Sequence, residues 1–280
     1  MTPERQDSLT IITVIKDDLP GFLRTAESVA SQINQEFEWL IIDGSNPPLD
    51  PNVLEPFSLK CDVKIVVSKP LGIYNAMNRG INETKNQWLW FINAGDFLLD
   101  STAVAKAQVL IANAKIHSLI ATTVLHFTPS GFIFSVTVPK IVKTGSYQVA
   151  DFHHQGVLVK RDAALSINGF DETLRIAADG KFLDNLVERF PFFIAEVPLA
   201  GFTLGGTSLK NFSRTLLETW KYRPATYSRA FEYYLAAKSK MRLILLVLEL
   251  KPILNVPVGI FLRRRQERIL KDLQFKVLSS

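Results

Sequence analysis

Leu9-Thr-Ile-Ile-Thr-Val-Ile15 is a run of apolar and β-branched residues without a charge, the pattern of a strand buried on both faces. Pro20 then opens a stretch with apolar residues at Phe22, Leu23, Ala26, Val29 and Ala30, a spacing that predicts a helix. Phe37-Glu-Trp-Leu-Ile-Ile42 reads as a second strand ending at Asp43-Gly44-Ser45, and Asn46-Pro47-Pro48 marks an irregular loop after it. Further on, Val63–Val67 reads as a third strand, Tyr74–Asn82 as a short helix and Gln87–Ile92 as a fourth strand. This β-α-β-α-β order with short connections predicts an α/β chain with a parallel, doubly wound sheet. Ligands of such sheets bind beyond the carboxyl ends of the strands. Three acidic signals stand there: Asp17-Asp18, Asp43 and Asp96. A carboxylate in that place can accept hydrogen bonds from a base edge or a ribose diol, or ligate a hard divalent cation. The plain alternative is a polar loop start.

From about residue 118 the pattern changes. Leu119–Phe127 and Phe132–Val138, separated by Thr128-Pro-Ser-Gly131, predict a hairpin. Asp162–Ile167 and Asp179–Phe190 read as helices and Phe192–Val197 as a further strand, and after Ser208 the chain turns helical and basic. Neither a G-x-G-x-x-G nor a G-x-x-x-x-G-K-[ST] motif is present, which argues against a Rossmann dinucleotide site and a P-loop. With 280 residues, 47% of them apolar and 21% charged, the chain can bury a proper core, and wholesale disorder is excluded. The net charge of +5 hides an asymmetry. Residues 1–208 carry 17 Lys+Arg against 22 Asp+Glu, whereas residues 209–280 carry 15 against 5. A mildly acidic body with a basic tail argues against a nucleic-acid binder. The single cysteine, Cys61, excludes an intramolecular disulfide framework and a Cys-cluster zinc site, and reads as a lone structural thiol. Met1–Ser8 is polar and lacks a basic-then-apolar layout, so a reducing, cytoplasmic location is expected. The richest apolar tract, Met241–Leu262, is interrupted by Arg242, Glu249, Lys251, Pro252 and Pro257. That is a poor membrane span, which needs about 20 nearly uninterrupted apolar residues.

Gly72-Ile-Tyr-Asn-Ala-Met-Asn-Arg-Gly80 followed by Trp90-Phe-Ile-Asn-Ala-Gly-Asp96 resembles the family 2 glycosyltransferases of the GT-A fold. It is similar in particular to the bacterial polysaccharide, colanic-acid-type branch, whose usual pattern is G-I-Y-D-A-M-N-K-G and then an N-x-G-D turn. Further matches run in order: Ile12-Thr-Val14, Ile41-Ile-Asp-Gly-Ser45, His154-Gln155, Asn168-Gly-Phe-Asp-Glu172, Ile176-Ala-Ala-Asp179 and Gly205-Gly-Thr-Ser208. The likeness covers about residues 8–208. It implies a GT-A sheet with a smaller acceptor-side subregion, a catalytic domain over residues 1–208 and a helical tail over residues 209–280.

The resemblance also implies roles. Asp43 would hold the donor's base, with Thr13 and Asp17 lining the same pocket and Gly72, Asn75, Asn78 and Asn93 belonging to the donor side. Asp96 stands at the last carboxylate of the family's D-x-D-type element, which holds Mg²⁺ or Mn²⁺ on the donor diphosphate, and Asn93 at its first position. Asp179 would be the general base that takes the proton of an acceptor hydroxyl, giving transfer with inversion; the plain alternative is a helix N-cap. His154 and Gln155 would touch acceptor or diphosphate, and Gly205–Ser208 would close over the phosphates or serve as a linker. His117 and His126 receive no role.

Some positions depart from the family pattern. Ser68-Lys-Pro-Leu-Gly72 is a residue shorter than the usual S-E-P-D-x-G and lacks both acids, Asn75 replaces an aspartate, and Gly180-Lys181 replaces Tyr-Asp. The main expectation is an inverting, metal-dependent transferase moving a sugar from a nucleotide-diphosphate donor to a carbohydrate or lipid-linked acceptor of cell-surface polysaccharide or glycolipid. The alternative is a catalytically silent sugar-nucleotide-binding or assembly protein of a membrane polysaccharide complex. The tail, with Leu243, Leu246, Val247 and Leu250 at helical spacing and Arg263-Arg-Arg-Gln-Glu-Arg268 beyond, reads two ways. It is an interfacial helix on anionic lipid at the inner face of the plasma membrane, or it packs on the catalytic domain or on a second copy in a homo-oligomer.

Overall fold

Strand β1 (Leu9–Ile15) is buried at every residue and pairs in parallel with β2 (Glu38–Asp43) on one side and β4 (Trp88–Phe91) on the other. In this computed structural model the described residues are 7–144 and 147–204, with Arg214, Leu217–Thr219, Tyr222 and Glu267–Ile269. The alternation of a strand sends Leu9, Ile11 and Ile15 to one face of the sheet. There they meet Phe22, Ala26 and Val29 of α1 (Leu19–Ala30) and Val104, Ala107 and Ile111 of α3 (Ala103–Asn113). Ile12 and Val14 point to the other face, against Tyr74, Met77 and Ile81 of α2 (Ile73–Glu83). The same layer holds Ala163 and Ala164 of α4 (Arg161–Ser166), and Phe182, Leu183 and Leu186 of α5 (Ala178–Arg189). Helices cover both faces, so the sheet is doubly wound as its strand order predicts.

The sheet runs β3 (Asp62–Val67), β2, β1, β4, β10 (Val157–Lys160), β6 (Leu119–Phe127), β11 (Phe192–Thr203) and β5 (Phe97–Leu98), with β7 (Ile133–Thr137) also on β6. Strands β1 to β4 form a parallel half. The second half is mixed: β10 is antiparallel to both β4 and β6, while β11 is parallel to β6. A separate antiparallel pair, β8 (Lys140–Thr144) and β9 (Tyr147–Asp151), lies beside α5.

The periodic elements stand where the sequence pattern predicts them. β11 continues to Thr203 instead of stopping at Val197, because the register shifts on either side of Pro198 absorb the proline. Helix α3 has apolar residues on several sides and no opening cap, so its sequence carries no periodic signal. Among the described residues no helix is long and apolar enough to cross a membrane. Gly205–Ser208 and the apolar and basic tail stretches lie outside the described residues, apart from Glu267 and Arg268.

Candidate functional site

Beyond the carboxyl end of β4 the chain makes a tight turn, Asn93-Ala-Gly-Asp96, closed by the Asp96 N–H donating to the Asn93 carbonyl at 2.9 Å. Gly95 has φ +95, a conformation that side chains resist, which is why glycine stands there. Thr25 of α1 reaches up and fastens the turn: its hydroxyl donates to the Asp96 carbonyl at 2.6 Å and accepts from Gly95 N–H at 3.1 Å. The Asp96 side chain is thereby held inward, 6% exposed. Burial pushes its carboxyl up to about 6, against the opposing pull of His154 and of a hydrogen bond from Gln155.

His154 and Gln155 arrive on a single 3₁₀ turn, His154–Gly156, just before β10. Trp90 Nε1 donates to the Gln155 carbonyl at 2.7 Å and the Thr122 hydroxyl to the Gly156 carbonyl at 2.8 Å, so two strands clamp the turn. Gln155 Nε2 donates to Asp96 Oδ2 at 3.1 Å. His154 bridges: Nε2 lies 3.4 Å from Asn93 Nδ2 and Nδ1 lies 3.3 Å from Asp179 Oδ2. Its neighbour His153 turns the other way into a buried packing with His126 and Phe202, where burial first, and then the adjacent histidine, holds both rings below the ordinary imidazole value.

Asp179 sits in the first turn of α5, whose N-cap is Ala177. It is therefore not the cap, the plain alternative for this residue. Its Oδ1 accepts from Gly180 N–H at 2.8 Å and from the Tyr74 hydroxyl at 3.3 Å, and the side chain stays 35% exposed. Burial works to raise this carboxyl, but the hydrogen bond and charge of His154 and the Gly180 N–H outweigh it, leaving it below the usual aspartate value. It is ionised at neutral pH and open to solvent on one side. Tyr74, which the resemblance assigned no role, also donates to the Ile176 carbonyl at 2.5 Å. Burial, then the Asp179 charge, holds its phenol far above the ordinary value, so it stays a donor. Its place inside the Gly72-Ile-Tyr74 motif was the signal that could have found it.

The structure thus brings Asn93, Asp96, His154, Gln155 and Asp179 into one cluster. The other expected residues behave differently. Thr13 is fully buried inside the sheet, its hydroxyl donating to the Ile92 carbonyl at 2.7 Å and accepting from Trp39 Nε1 at 2.9 Å. Asp43 is fully buried as well, and its two oxygens accept the N–H groups of Ser45 at 2.8 Å and Leu49 at 2.6 Å. Asp17, at φ +53, ties the first loop to the second: it accepts from Asn46 N–H and its own N–H donates to Ser45 Oγ, both at 3.0 Å. Gly72, at φ +132, is the N-cap of α2. The Asn75 and Asn78 amides each donate to Glu172 at 2.8 Å, and Asn78 also pairs with the Phe170 backbone. At Asn75, where the family pattern has an aspartate, the amide supplies a donor to this glutamate. Lys181, another departure, pairs with Asp171 at 2.6 Å.

Among the described residues no three His, Cys, Asp or Glu side chains gather closely enough to form a metal cage. The cluster does hold two buried side-chain oxygens without a partner, Asn93 Oδ1 and Gln155 Oε1, on the residues that flank Asp96 in the turn and in its hydrogen bond. One anionic and two carbonyl oxygens fit a hard cation such as Mg²⁺ or Mn²⁺ that takes its remaining ligands from a polyanionic ligand.

Residues 10–162 match the family model described as Glycosyl transferase family 2. Curated relatives include the "PGL/p-HBAD biosynthesis glycosyltransferase" proteins of Mycobacterium bovis and Mycobacterium tuberculosis. They are 25% identical over 96 residues, covering 34% of this chain and 38% of theirs. The chain therefore aligns with well under half of their length. Among solved structures, S. aureus TarS 1-349 in complex with UDP-GlcNAc superposes with a TM-score of 0.56 at 12% identity, over 71% of this chain and 59% of that one. The mannosyltransferase PcManGT from Pyrobaculum calidifontis, in complex with GDP-Man and Mn2+, gives 0.55 at 10% identity, over 95% of this chain and 82% of that one. At these identities the likeness speaks for the fold alone, and the fold is that of the GT-A glycosyltransferases. With the family model spanning more than half of the sequence, the chain belongs to glycosyl transferase family 2.

Proposed function

We propose that the chain is an inverting, divalent-cation-dependent glycosyltransferase. It moves a sugar from a nucleotide-diphosphate donor to a hydroxyl of a carbohydrate or lipid-linked acceptor in cell-surface polysaccharide or glycolipid synthesis. The observation that carries this reading is the pair of unlike carboxylates on either side of the His154-Gln155 turn, Asp96 against Gln155 and Asp179 against His154. Asp96 is buried, while Asp179 is ionised and partly open. The first suits charge neutralisation and the second suits proton acceptance.

Asp179 accepts the proton of the acceptor hydroxyl as that oxygen bonds to the anomeric carbon. The bond from that carbon to the diphosphate oxygen breaks, and the nucleoside diphosphate leaves with the electron pair. A single displacement inverts the anomeric centre and needs no carboxylate nucleophile. Tyr74 and Gly180 hold Asp179 Oδ1, which leaves Oδ2 and the His154 side for the incoming hydroxyl. Asp96, Asn93 Oδ1 and Gln155 Oε1 would hold the cation, which when bound neutralises charge on the leaving diphosphate. On this reading Asp43 and Asp17 act by shaping the loops against which the base lies, with Thr13 bracing β1 behind them, and Gly72 opens the donor side of α2. Asn75 and Asn78 set that helix against the Asp171–Glu172 loop.

The donor panel takes UDP-GlcNAc and GDP-mannose from the neighbours and adds a dTDP-sugar, each with and without Mn²⁺. A ligand bound by the native state alone raises the melting temperature, so a thermal-shift plate reads nucleotide and cation together. One donor is expected to shift the midpoint with cation present, and to release nucleoside diphosphate when a sugar or lipid-linked acceptor is added, with inverted product by NMR. A donor that binds but is never turned over would favour the silent binding protein. Retained anomeric configuration would overturn the single displacement.

A further inference from the structure

Glu218 belongs to the basic segment after residue 208, yet it is only 6% exposed. Its Oε2 accepts three consecutive backbone N–H groups, from Arg175 at 3.0 Å, Ile176 at 2.8 Å and Ala177 at 3.1 Å. Successive amides converging on one oxygen make a concave anion cradle, and bonds to a carboxylate are charge-assisted. The second oxygen, Oε1, lies 3.3 Å from Arg214 Nε. The amides so held lead directly into α5, where Ala177 is the N-cap and Asp179 stands in the first turn. Of the three, the Ala177 N–H is one that a helix start leaves without an intrahelical acceptor, and the cradle lies at the end where a negative charge is favoured.

The same stretch is gripped from its other side. The Ile176 carbonyl accepts from the Tyr74 hydroxyl, so residue 176 is fixed at both its N–H and its C=O. Tyr222, four residues past Glu218, brings its hydroxyl against Gly180, where a Cβ would lie only 2.5 Å from it. A larger residue at 180 would displace the Tyr222 hydroxyl.

We propose that Glu218 is a positioning residue for Asp179. It sets the three-residue approach to α5, and thereby where the Asp179 carboxylate stands relative to His154. The proposal rests on the reading of Asp179 as the base. It also gives Glu218, which lies after residue 208, a part in setting the catalytic geometry. A group that acts only by aiming the base affects the chemical step and leaves donor binding alone, and small misplacements of reacting groups are costly.

The test uses the full chain and whichever of UDP-GlcNAc or GDP-mannose the wild type turns over. Glu218→Ala is expected to lower kcat by about 10- to 100-fold, with donor Kd by calorimetry within about twofold of wild type. Hydrogen exchange over residues 175–180 is expected to speed up in the same variant. Glu218→Gln, which keeps an acceptor oxygen in the cradle, should recover most of kcat and guards against a Glu218→Ala chain that does not fold. Unchanged kcat in Glu218→Ala with faster exchange at 175–180 overturns the positioning role. So does a loss of kcat matched by an equal loss of donor affinity and of melting temperature, which marks a merely structural contact. If the wild type turns over no donor, the transferase reading fails and the proposal with it. An active wild type with an equally active Glu218→Ala overturns the proposal alone.

Discussion

The rim loops around Asp17, Asp18 and Asp43 and the cluster around Asp96, His154 and Asp179 are both rich in carboxylates, but they treat them in opposite ways. In the rim each acid is answered by the backbone of its own neighbourhood. Asp43 takes Ser45 and Leu49 N–H, Asp17 takes Asn46 N–H, and Asp18 caps α1 through Gly21 N–H. In the cluster, two acceptor atoms are buried and left over, Asn93 Oδ1 and Gln155 Oε1. A buried polar atom without a partner costs free energy. On the proposed reading, the rim is finished by folding alone, whereas the cluster is finished by what binds there.

Substitutions sharpen this contrast, and the largest effect belongs to the cluster. Asp179→Asn is expected to reduce kcat by about 10²- to 10⁴-fold, the usual worth of a general base, with donor affinity and melting temperature nearly unchanged. Steady-state kinetics and calorimetry on one preparation check this, and unchanged turnover would remove Asp179 from the role. Next comes the rim. Asp43→Ala leaves two half-buried N–H groups unanswered, at about 1–3 kcal/mol each, so urea unfolding should show a loss of about 2–6 kcal/mol. A loss below about 0.5 kcal/mol would break the distinction between the two regions.

Asp96→Asn should do the reverse. Its carboxyl is fully enclosed and pushed up to about 6 by burial, so the neutral isostere removes a standing penalty. Without divalent cation at pH 7.5 the variant should be more stable by about 1 kcal/mol, while donor binding loses its dependence on Mn²⁺. A drop in stability would mean that the cluster, too, is finished without a ligand.

Asp171 is the control. A hydrogen bond from Lys181, then one from Thr173, lowers its carboxyl to about 2. Because the folded value lies below the unfolded one, the native state binds fewer protons between the two. The stabilisation is therefore complete above about pH 4 and disappears as pH falls through about 2. The pair is partly exposed, at 34% and 26%, so Asp171→Asn should cost less than about 1 kcal/mol at pH 7 and nothing at pH 2. Equal losses at both pH values would locate the effect in packing instead of charge.

The sheet was readable because strands and amphipathic helices have a period, and β1, β6 and the α5 region carry it plainly. Asp96 and Asp179 were readable because short motifs frame them. What lay hidden were partners whose signal is not in side-chain identity. Thr13 lies inside β1 and Asp43 ends β2, and nothing in their spacing says that they turn toward the protein's own Trp39, Ser45 and Leu49. The Asn75 and Asn78 pairing with Glu172 joins residues almost a hundred apart in the chain. Glu218 was hidden most deeply, since its partners are backbone amides, which every residue but proline possesses.

The cradle around Glu218 bears on when activity begins as the chain is made. Synthesis proceeds from the N-terminus, and domains fold as they emerge. Every strand of the described sheet is complete by Thr203, with Asn93, Asp96, His154 and Asp179 already in it. The acid that fastens the approach to Asp179 comes fifteen residues later, at Glu218. On the proposed reading, a nascent or clipped chain ending near residue 208 would keep Asn93, Asp96, His154 and Asp179 and still turn over slowly, until synthesis has passed Glu218.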